Sequence, residues 1–371
     1  MSKLLGKADL ENIIDGATFF GAGGGGSAEQ GYYLLNKIEE KLGKIEIELA
    51  DPEEMNSHEL AVMVASIGAP RVMKQKDFGS EALYGFEFIS SLCSLGGRSA
   101  NYLMAGELGG LNTLVPIYVS AINAVPLVDA DGNGRAVPEL STTLYSAFDI
   151  SLNPLVVANS SGDTAVVYLK DPLNYENAEA TARSLTVAWG TVASFATWVV
   201  DKQQIVANLA PRTISRSEEI GQIFRRNANK NDVSSLSEDL KNAGAVELFV
   251  GKISSLETKT KEGFDFGTTV VCGEGKYDGA TMTIDFKNEN IIARVDDRIV
   301  AMVPDLISIV DIETMKPITN ADTTQGQRIA VYGTLAPENW MKTPRGFLCW
   351  KHILHTLGYT GEYVPLRTNE T

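Results

Sequence analysis

The chain has 371 residues, with 32 Lys and Arg against 47 Asp and Glu, which gives a formal net charge of −15. This acidity argues against nucleic acid and anionic lipid as partners, because both require a surplus of Lys and Arg on some face. Apolar residues make up 44% of the chain, which is enough for a sizeable core and excludes a mainly disordered protein. Since a domain usually takes about 100–200 residues, two domains are the first expectation.

The spacing of the cysteines and the length of the apolar runs indicate in which cellular compartment the protein is expected. Cys93, Cys272 and Cys349 are too far apart for a disulfide framework or a metal knuckle. The first residues lack the apolar run of a secretory signal, and the longest apolar stretch, 185–200, falls short of the roughly 20 residues that a membrane span needs. We therefore expect a reduced, cytoplasmic protein with no membrane partner, and we expect it to form a homo-oligomer.

Helices and strands alternate up to about residue 170, which favours an α/β layer domain. Helices are predicted at 9–19, from Ser27 to about Leu42, at 81–92 and at 110–123. Strands are predicted at 44–50, 60–67, 126–131, 155–158 and 165–169. The run at 60–67 is continuously apolar and ends at Gly68-Ala69-Pro70, which is typical of a buried parallel strand.

The sequence pattern changes in the second half of the chain. Residues 177–201 combine helical periodicity with many small residues, which predicts a close-packed helix between domains. Two short polar helices are predicted at 215–224 and 235–243. After about Ala245, short β-rich runs alternate with Gly, Asn and Asp turns, as in an antiparallel sheet or sandwich, and Asn288-Glu289-Asn290 is predicted as a hairpin tip.

These patterns predict an α/β plus β fold class. The N-terminal α/β layered domain takes residues 1–170, and the C-terminal domain, 171–371, consists of a helical linker followed by a β-rich sheet or sandwich.

A run of glycines follows the first predicted helix. These residues are Gly23, Gly24, Gly25 and Gly26, followed by Ser27. The segment 21–26 matches G-x-G-x-x-G, but a helix precedes it instead of a strand and no Lys follows, so a nucleotide loop is disfavoured. Consecutive glycines let a ligand contact bare backbone, and the next helix offers free N–H groups. The run therefore predicts binding of an anionic or carbonyl-bearing ligand, with a tight helix–helix turn as the alternative.

Acidic residues crowd the end of the strand predicted at 126–131. Residues 129–134 reproduce the first six positions of an EF-hand loop, but Glu139 comes one residue before the position where a bidentate Glu is required. A ligand site at the carboxyl end of a strand fits better, with Asp129, Asp131, Arg135 and Glu139 within eleven residues. Arg135 would hold the acids ionised or bind a substrate carboxylate or carbonyl. The alternative is an ion-paired turn.

Glu107 lies between glycines before an apolar helix, in a segment that ends at Asn112. It is either a carboxylate placed in a cleft or a solvent-facing turn residue. Together with an Asp from the acidic loop, Glu107 could perform general acid/base work on a bound water.

Three segments together resemble the S-methyl thiohydantoin desulfurase-like family, which is described beside hydantoinase/oxoprolinase proteins. They are Phe20-Gly21-Ala22-Gly23-Gly24-Gly25-Gly26, Glu107-Leu108-Gly109-Gly110-Leu111-Asn112 and the run 126–139, and the segments 303–307 and 326–329 are similar to the family's second half. The resemblance implies an N-terminal α/β domain, a β-rich C-terminal domain and chemistry on a five-membered cyclic ureide or thio-ureide. In the activity for which the family is named, water displaces methanethiol from an S-methylated thiohydantoin ring and leaves hydantoin.

Three functions remain open from the sequence. The first is a hydrolase of a C–S or C–N bond in a small cyclic substrate, with Asp129 or Asp131 as the base and Glu107 as the leaving-group acid. The candidate substrate-binding residues are Gly23, Gly24, Gly25, Gly26, Ser27, Asn112, Arg135 and Glu139. The second is a non-catalytic subunit or ligand-binding partner of a hydantoinase/oxoprolinase-type enzyme. The third is a divalent-metal enzyme with Asp129, Asp131 and Glu139 as ligands, and otherwise no cofactor is predicted.

Overall fold

Two sheets organise the chain, which confirms the predicted α/β plus β fold class. The computed structural model describes residues 2–68, 77–228, 230, 232–261 and 263–367. The first sheet is mixed and has nine strands, and the second is antiparallel and has eight. Ala69 and Pro70, predicted to end a strand, lie outside the described residues. None of the helices in the described ranges is long and apolar enough to span a membrane.

The first sheet has a parallel centre. Its strands are β1 (Lys3–Leu5), β2 (Ile47–Ala50), β3 (Leu60–Gly68), β4 (Ala100–Ala105), β5 (Leu127–Asp131), β6 (Leu155–Ala158), β7 (Thr164–Val167), β8 (Val192–Asp201) and β9 (Ala210–Pro211). They follow the order β1-β2-β5-β4-β3-β8-β6-β7, with β9 paired to β5. Strands β2, β5, β4 and β3 are parallel to one another, so their carboxyl ends lie along one edge. The predicted parallel pairing of β3 therefore holds with β4, whereas β8 pairs antiparallel on its other side.

Helices cover both faces of this sheet, and the helix Val233–Asn242 packs instead against the strand Ala245–Lys261 of the second sheet. They are α1 (Lys7–Phe20), α2 (Ala28–Leu42), α3 (Ser80–Leu95), α4 (Leu114–Asn123), α5 (Leu144–Ala147), α6 (Tyr175–Ala188), α7 (Lys202–Asn208), α8 (Thr213–Asn227), α9 (Val233–Asn242), α10 (Arg345–Leu348) and α11 (Lys351–Thr356). Side chains alternate along β3, so that Val62 and Val64 share a core with α1 to α4, while Ala61 and Met63 share another with α6 and α11.

A capping box begins α2 as predicted. The Gln30 amide donates to the Ser27 hydroxyl at 3.4 Å, and the Ser27 amide donates to the Gln30 side chain at 3.1 Å. This reciprocal pair satisfies two backbone donors and fixes where the glycine run ends and the helix starts.

The prediction of one helix over residues 177–201 is wrong for the second half of the segment. Helix α6 ends at Ala188, and Gly190 and Thr191 follow with φ of 87° and 71°. This left-handed turn stops the helix, and the chain from Val192 then pairs with β3 over the whole length of β8. The β-branched residues of this segment suit a buried central strand. Strands β8 and β9 therefore belong to the first sheet, although they follow the domain boundary that the sequence predicts near residue 170. The position of that boundary stays a prediction.

The second sheet is built from consecutive antiparallel pairings. Its strands are β10 (Ala245–Lys261), β11 (Phe264–Gly273), β12 (Thr281–Lys287), β13 (Glu289–Val295), β14 (Arg298–Met302), β15 (Leu306–Asp311), β16 (Lys316–Ile318) and β17 (Arg328–Thr334). They follow the order β14-β13-β12-β11-β10-β17-β15-β16. Asn288 turns β12 into β13 with a φ of 54°, which confirms the predicted hairpin tip.

Candidate functional site

A cavity of about 390 Å³ is lined by residues of both sheets. The first sheet contributes residues at or just after the carboxyl ends of β3, β4 and β5, which is where open α/β sheets usually bind ligands. These residues are Ser66, Ile67, Gly68, Gly106, Glu107 and Asn133. The glycine run Gly23–Gly26 with Ser27 forms another wall, and Asn288, Glu289 and Asn320 complete the lining from the second sheet. The volume suits a small-molecule ligand.

The glycine run is held between the two sheets by backbone hydrogen bonds. From the first sheet's side, Asn112 donates its amide to the Gly25 carbonyl at 3.1 Å, and Gly110 donates to the Gly26 carbonyl at 3.0 Å. From the other side, Asn320 donates its amide to the Gly23 carbonyl at 2.9 Å. Within the described parts of the chain, the amides of Gly25 and Gly26 donate to no protein group, so they are free to bind a ligand.

Gly24 is a glycine because a buried carboxyl group occupies the space of a side chain. A Cβ atom placed on Gly24 would lie 1.9 Å from Oε1 of Glu289. The backbone at Gly24 does not need a positive φ, so the constraint here is steric and not conformational. Bare backbone at this point lets the tip of the second sheet insert its carboxyl group beside the glycine run.

We expect Gly24→Ala to abolish ligand binding at the cavity, because the new methyl group would displace the Glu289 carboxyl. The matched control is Gly6→Ala, where the added Cβ would meet its nearest atom, Oδ2 of Asp9, at an ordinary 3.7 Å. The measurement is the melting point of each variant with and without added hydantoin, the ring type that the sequence resemblance implies, since a ligand of the folded state raises the melting point by mass action. A ligand-induced shift in Gly24→Ala equal to that of the control would contradict this placement.

Glu107 lies in the cavity wall with both carboxylate oxygens engaged. Asn112 Nδ2 donates to Oε1 at 2.6 Å, and the Val137 amide donates to Oε2 at 2.8 Å. Burial raises the pKa of Glu107 to about 7, although these two hydrogen bonds and the charge of Arg135 oppose the shift. Asn112 is itself positioned by Ser66, whose hydroxyl donates to Asn112 Oδ1 at 2.6 Å. The result is a fixed carboxyl group that titrates near neutral pH.

Glu289 is the second buried carboxyl group of the cavity. Glu289 is only 3% exposed, and its Oε2 atom has no hydrogen-bond partner among the described residues. Burial raises the pKa of Glu289 well above its usual range, and the like charge of Glu107 raises it further. Two carboxyl groups with different surroundings therefore line one cavity, which is the arrangement that general acid/base chemistry uses.

Trp198 reaches the cavity through an irregularity in β8. Val62 and Met63 of β3 pair with Val199 and Thr197, so Trp198 is an extra residue in a β-bulge, with a φ of 45°. Its ring is 2% exposed and stacks on Tyr145 with centroids 3.9 Å apart. Trp198 Nε1 has no partner among the described residues, so it remains a donor for a ligand.

Two groups of ion pairs lie in the part of the cavity wall that contains Glu139 and Glu179. The Glu139 carboxylate contacts Nζ of Lys287 and lies 2.6 Å from Nε2 of His352. Burial lowers the pKa of Lys287 to about 8. Arg183 and Glu179 form a second pair at 2.8 Å. These cations are already paired with protein carboxylates, so their charges stabilise the cavity wall and are not free to bind an anionic ligand.

The two halves of the chain match two related family models. The model described as "S-Me-THD-like, N-terminal domain" matches residues 8–168, and "S-Me-THD-like, C-terminal domain" matches residues 173–366. The chain belongs to the S-Me-THD-like family. This confirms the family predicted from the glycine, Glu107 and acidic-loop motifs. No protein of curated function matches the chain.

One solved structure has the same fold as this S-Me-THD-like protein. The crystal structure of a protein from Chromobacterium violaceum is similar over 98% of this chain and 100% of its own, with a TM-score of 0.84. The two sequences are 24% identical, so the likeness shows the fold alone.

The structure brings together only some of the predicted site residues of this S-Me-THD-like chain. The cavity is lined by Gly23, Gly24, Gly25, Gly26, Ser27, Glu107, Asn112 and Glu139. The two aspartates predicted as bases do not line the cavity, and each accepts hydrogen bonds from backbone amides. Asp129 accepts the amides of Ile214 and Ser215, both at 3.0 Å, at the start of α8. Asp131 is fully buried and accepts the amides of Asn133 and Gly134, and burial raises its pKa to about 7.

Arg135, predicted to hold ring oxygens, instead ties the two sheets together. Its guanidinium donates to the carbonyls of Pro304 and Asp305, both at 2.9 Å, and to that of Asn290 at 3.3 Å. The group also lies over the Trp350 ring, 4.9 Å from its centroid. Arg135 is fully buried and does not line the cavity, because backbone carbonyls of the second sheet take its donors.

The acids named as alternative metal ligands do not converge on one point. Asp129 faces α8, Asp131 closes its own turn, and Glu139 contacts Lys287 and His352. Throughout the described ranges, no three His, Cys, Asp or Glu side chains are grouped so that they could hold a metal ion. The three acids are separated because neighbours in sequence after β5 turn to different sides of the fold.

Sequence reasoning missed Glu289, Asn320 and Trp198. Glu289 lies in the hairpin tip 288–290, where a polar trio between two β-rich runs indicates only a turn. A charged residue at a hairpin tip is ordinarily solvated, and only the docking of this tip on the glycine run buries it. Trp198 was placed in a helix, so no pattern could indicate a bulge there.

Proposed function

We propose that this protein is a hydrolase that releases methanethiol from an S-methylated thiohydantoin ring. The observation that carries the proposal is the pair of buried carboxyl groups, Glu107 and Glu289, in the wall of a cavity of about 390 Å³. The family name supports a thiohydantoin-related substrate. Addition of water to an amidine-like ring carbon needs a base, an acid and stabilisation of developing charge, and this wall offers all three.

The surroundings of the two carboxyl groups assign their roles. Glu107 accepts two hydrogen bonds, which favour its ionised form, so it is the base. Glu289 Oε2 accepts no hydrogen bond from the described residues, and burial, which raises the pKa of Glu289, favours its protonated form, so Glu289 is the acid. In this assignment Glu107 takes over the role of base that the sequence analysis gave to Asp129 or Asp131, and the second sheet supplies the acid that protonates the ring.

The reaction proceeds in two proton-balanced steps. In the first, Glu289 gives its proton to the ring nitrogen of the C=N bond, water attacks the carbon that bears sulfur, and Glu107 takes a proton from that water. In the second, the C–S bond breaks, Glu107 gives its proton to the leaving sulfur, and the new hydroxyl group returns a proton to Glu289. Hydantoin and methanethiol leave, and both carboxyl groups regain their starting states.

Backbone donors and Trp198 would hold the ring during these steps. The amides of Gly25 and Gly26 are free to bind the ring carbonyl, and Trp198 Nε1 provides a further donor. Donors fixed by the fold stabilise charge without reorganising, which is why such groups lower the barrier.

We expect kcat/KM to rise tenfold per pH unit below about pH 7 and then to level off. The reason is that burial raises the pKa of Glu107 to about 7, and this base acts only when it is ionised. At higher pH the rate falls again as Glu289 loses the proton that it must donate. The measurement is the initial rate from pH 5 to pH 10 at low substrate concentration. A rate that is level from pH 5 to about pH 7 and falls above it would assign Glu107 the opposite role.

The test of the proposed function is the release of methanethiol by the purified protein from S-methyl thiohydantoin, followed with a thiol reagent. We expect multiple turnovers and stoichiometric hydantoin. A protein that binds hydantoin but releases no thiol above the buffer rate would be the non-catalytic partner, and the proposal would be wrong.

A further inference from the structure

The cavity contains buried oxygen atoms that accept no hydrogen bond. Glu289 Oε2 and Asn320 Oδ1 have no partner among the described residues, and both residues line the cavity. Asn290 Oδ1, next to Glu289 in the chain, is also without a described partner. A buried polar atom without a partner costs free energy, so the two cavity-lining oxygens, Glu289 Oε2 and Asn320 Oδ1, are left unsatisfied until a ligand or water donates to them.

The orientation of the two asparagine side chains is fixed by their other ends. Asn320 Nδ2 donates to the Asn288 carbonyl at 2.8 Å, and Asn290 Nδ2 donates to the Ile307 carbonyl at 2.8 Å. Rotating either amide would place an oxygen against a carbonyl oxygen. The unpartnered Oδ1 atoms of the two asparagines are therefore acceptors, and a group that faces either of them must be a donor.

These acceptors discriminate between the two protonation states of a cyclic isothiourea. The neutral ring has one N–H donor and one nitrogen acceptor, whereas the protonated ring has two N–H donors and a delocalised positive charge. A carboxylate accepts a stronger hydrogen bond from a cationic N–H group than from a neutral one. The neutral ring would instead leave one acceptor of this wall unmatched.

We propose that this cavity binds five-membered cyclic amidines, isothioureas and guanidines alike, as amidinium cations paired with the carboxylate of Glu289. This inference rests on the proposed function for the identity of the site, and it adds the charge state and the wider class of ring. For a neutral substrate, Glu289 supplies the proton; for a ring that is already a cation, Glu289 releases its proton to the solvent when the ring binds.

The charged groups around Glu289 are consistent with a cationic ligand. They are Glu107 from the loop after β4, Arg135 from the loop after β5 and Lys287 from β12. Arg135 and Lys287 are engaged by backbone carbonyls and by Glu139, so neither pairs directly with Glu289. Ionised Glu107 and Glu289 together exceed the charge of Arg135 by one, and a bound cation restores neutrality.

The experiment compares two rings of the same size by titration calorimetry. The cationic probe is 2-aminoimidazoline, and the neutral probe is imidazolidin-2-one, which carries an oxygen in place of the exocyclic nitrogen. Each is titrated into the wild-type protein, Glu289→Gln and the control Glu40→Gln, an exposed residue of α2. Two buffers with different ionisation enthalpies are used at each pH, so that protons released on binding are counted.

We expect the wild type and Glu40→Gln to bind the cation at least tenfold more tightly than the neutral ring, with release of up to one proton. In Glu289→Gln this preference should fall below threefold, and affinity for the neutral ring should change less than threefold. Equal or tighter binding of the neutral ring, binding of the cation without proton release, an unchanged preference in Glu289→Gln, or no binding of either probe at millimolar concentration would overturn the proposal.

This outcome is separable from that of the proposed function. Turnover of S-methyl thiohydantoin without a preference for the cation would leave the hydrolase in place and overturn only the amidinium site. A preference for the cation that depends on Glu289, without any turnover, would keep the amidinium site and refute the hydrolase.

Discussion

Glu107→Gln is expected to lower kcat for methanethiol release by about 10²- to 10⁴-fold, the usual contribution of a general base. The glutamine cannot take a proton from water, and its amide also faces two donors, Asn112 Nδ2 and the Val137 amide, one of which loses its acceptor. The measurement is kcat from methanethiol release, together with the affinity for hydantoin. The loss should fall on kcat, because binding of the neutral product does not require a base.

The companion variant is Glu289→Gln, whose side chain has nearly the same shape and keeps a donor at the same place but cannot transfer its proton. We expect it to lose activity to a similar extent, and the double variant to be little slower than either single variant, because the two groups act in one proton cycle. Glu40→Gln is the control for the loss of one negative charge at a distance. Full activity in Glu107→Gln with an intact fold would remove this residue from the mechanism.

Arg135→Met is expected to lower the free energy of unfolding by about 3–5 kcal/mol, the usual cost of removing one partner from a buried charged network. The substitution would leave the carbonyls of Pro304 and Asp305 without their donor. It would also remove the positive charge that lowers the pKa of Glu107 and Glu289. Urea unfolding measures the change, with an unchanged m value as the condition for comparing the two proteins.

The control for this variant is Arg345→Met, which removes an arginine from the surface. Arg345 and Asp149 form an exposed pair at 2.5 Å, with side chains about half accessible. Such pairs contribute about 0–1 kcal/mol, so this variant should unfold almost like the wild type. Equal losses in the two variants would mean that Arg135 does not join the two sheets as its hydrogen bonds indicate.

The elements of the fold could be predicted where local patterns decide them. The capping box at Ser27 and Gln30, the β-rich runs after Ala245 and the hairpin tip at Asn288 all depend on residues close in sequence. Strand β8 could not be predicted in the same way, because its partner β3 lies more than a hundred residues earlier in the chain. Pairing across such a distance overrides the helical periodicity of 177–201.

The candidate site could be predicted only on the side of the first sheet. The glycine run, Glu107 and Asn112 were identified because a run of glycines before a helix and an acid flanked by glycines are local signals. Asp131 and Arg135 show the same signals, yet they close a turn and join the sheets, since sequence does not tell which way a side chain faces. Glu289 could not be found, because only the docking of the second sheet on Gly24 buries it.

The most direct test of the account is the fate of oxygen when S-methyl thiohydantoin is turned over in water enriched in ¹⁸O. Attack of water on the ring carbon beside sulfur predicts one ¹⁸O atom in the hydantoin carbonyl, with unlabelled methanethiol, and predicts that both products are lost together in Glu107→Gln. Labelled methanol with thiohydantoin would mean attack on the methyl group. That result, or no product above the buffer rate, would contradict hydrolysis of the ring by the Glu107–Glu289 pair.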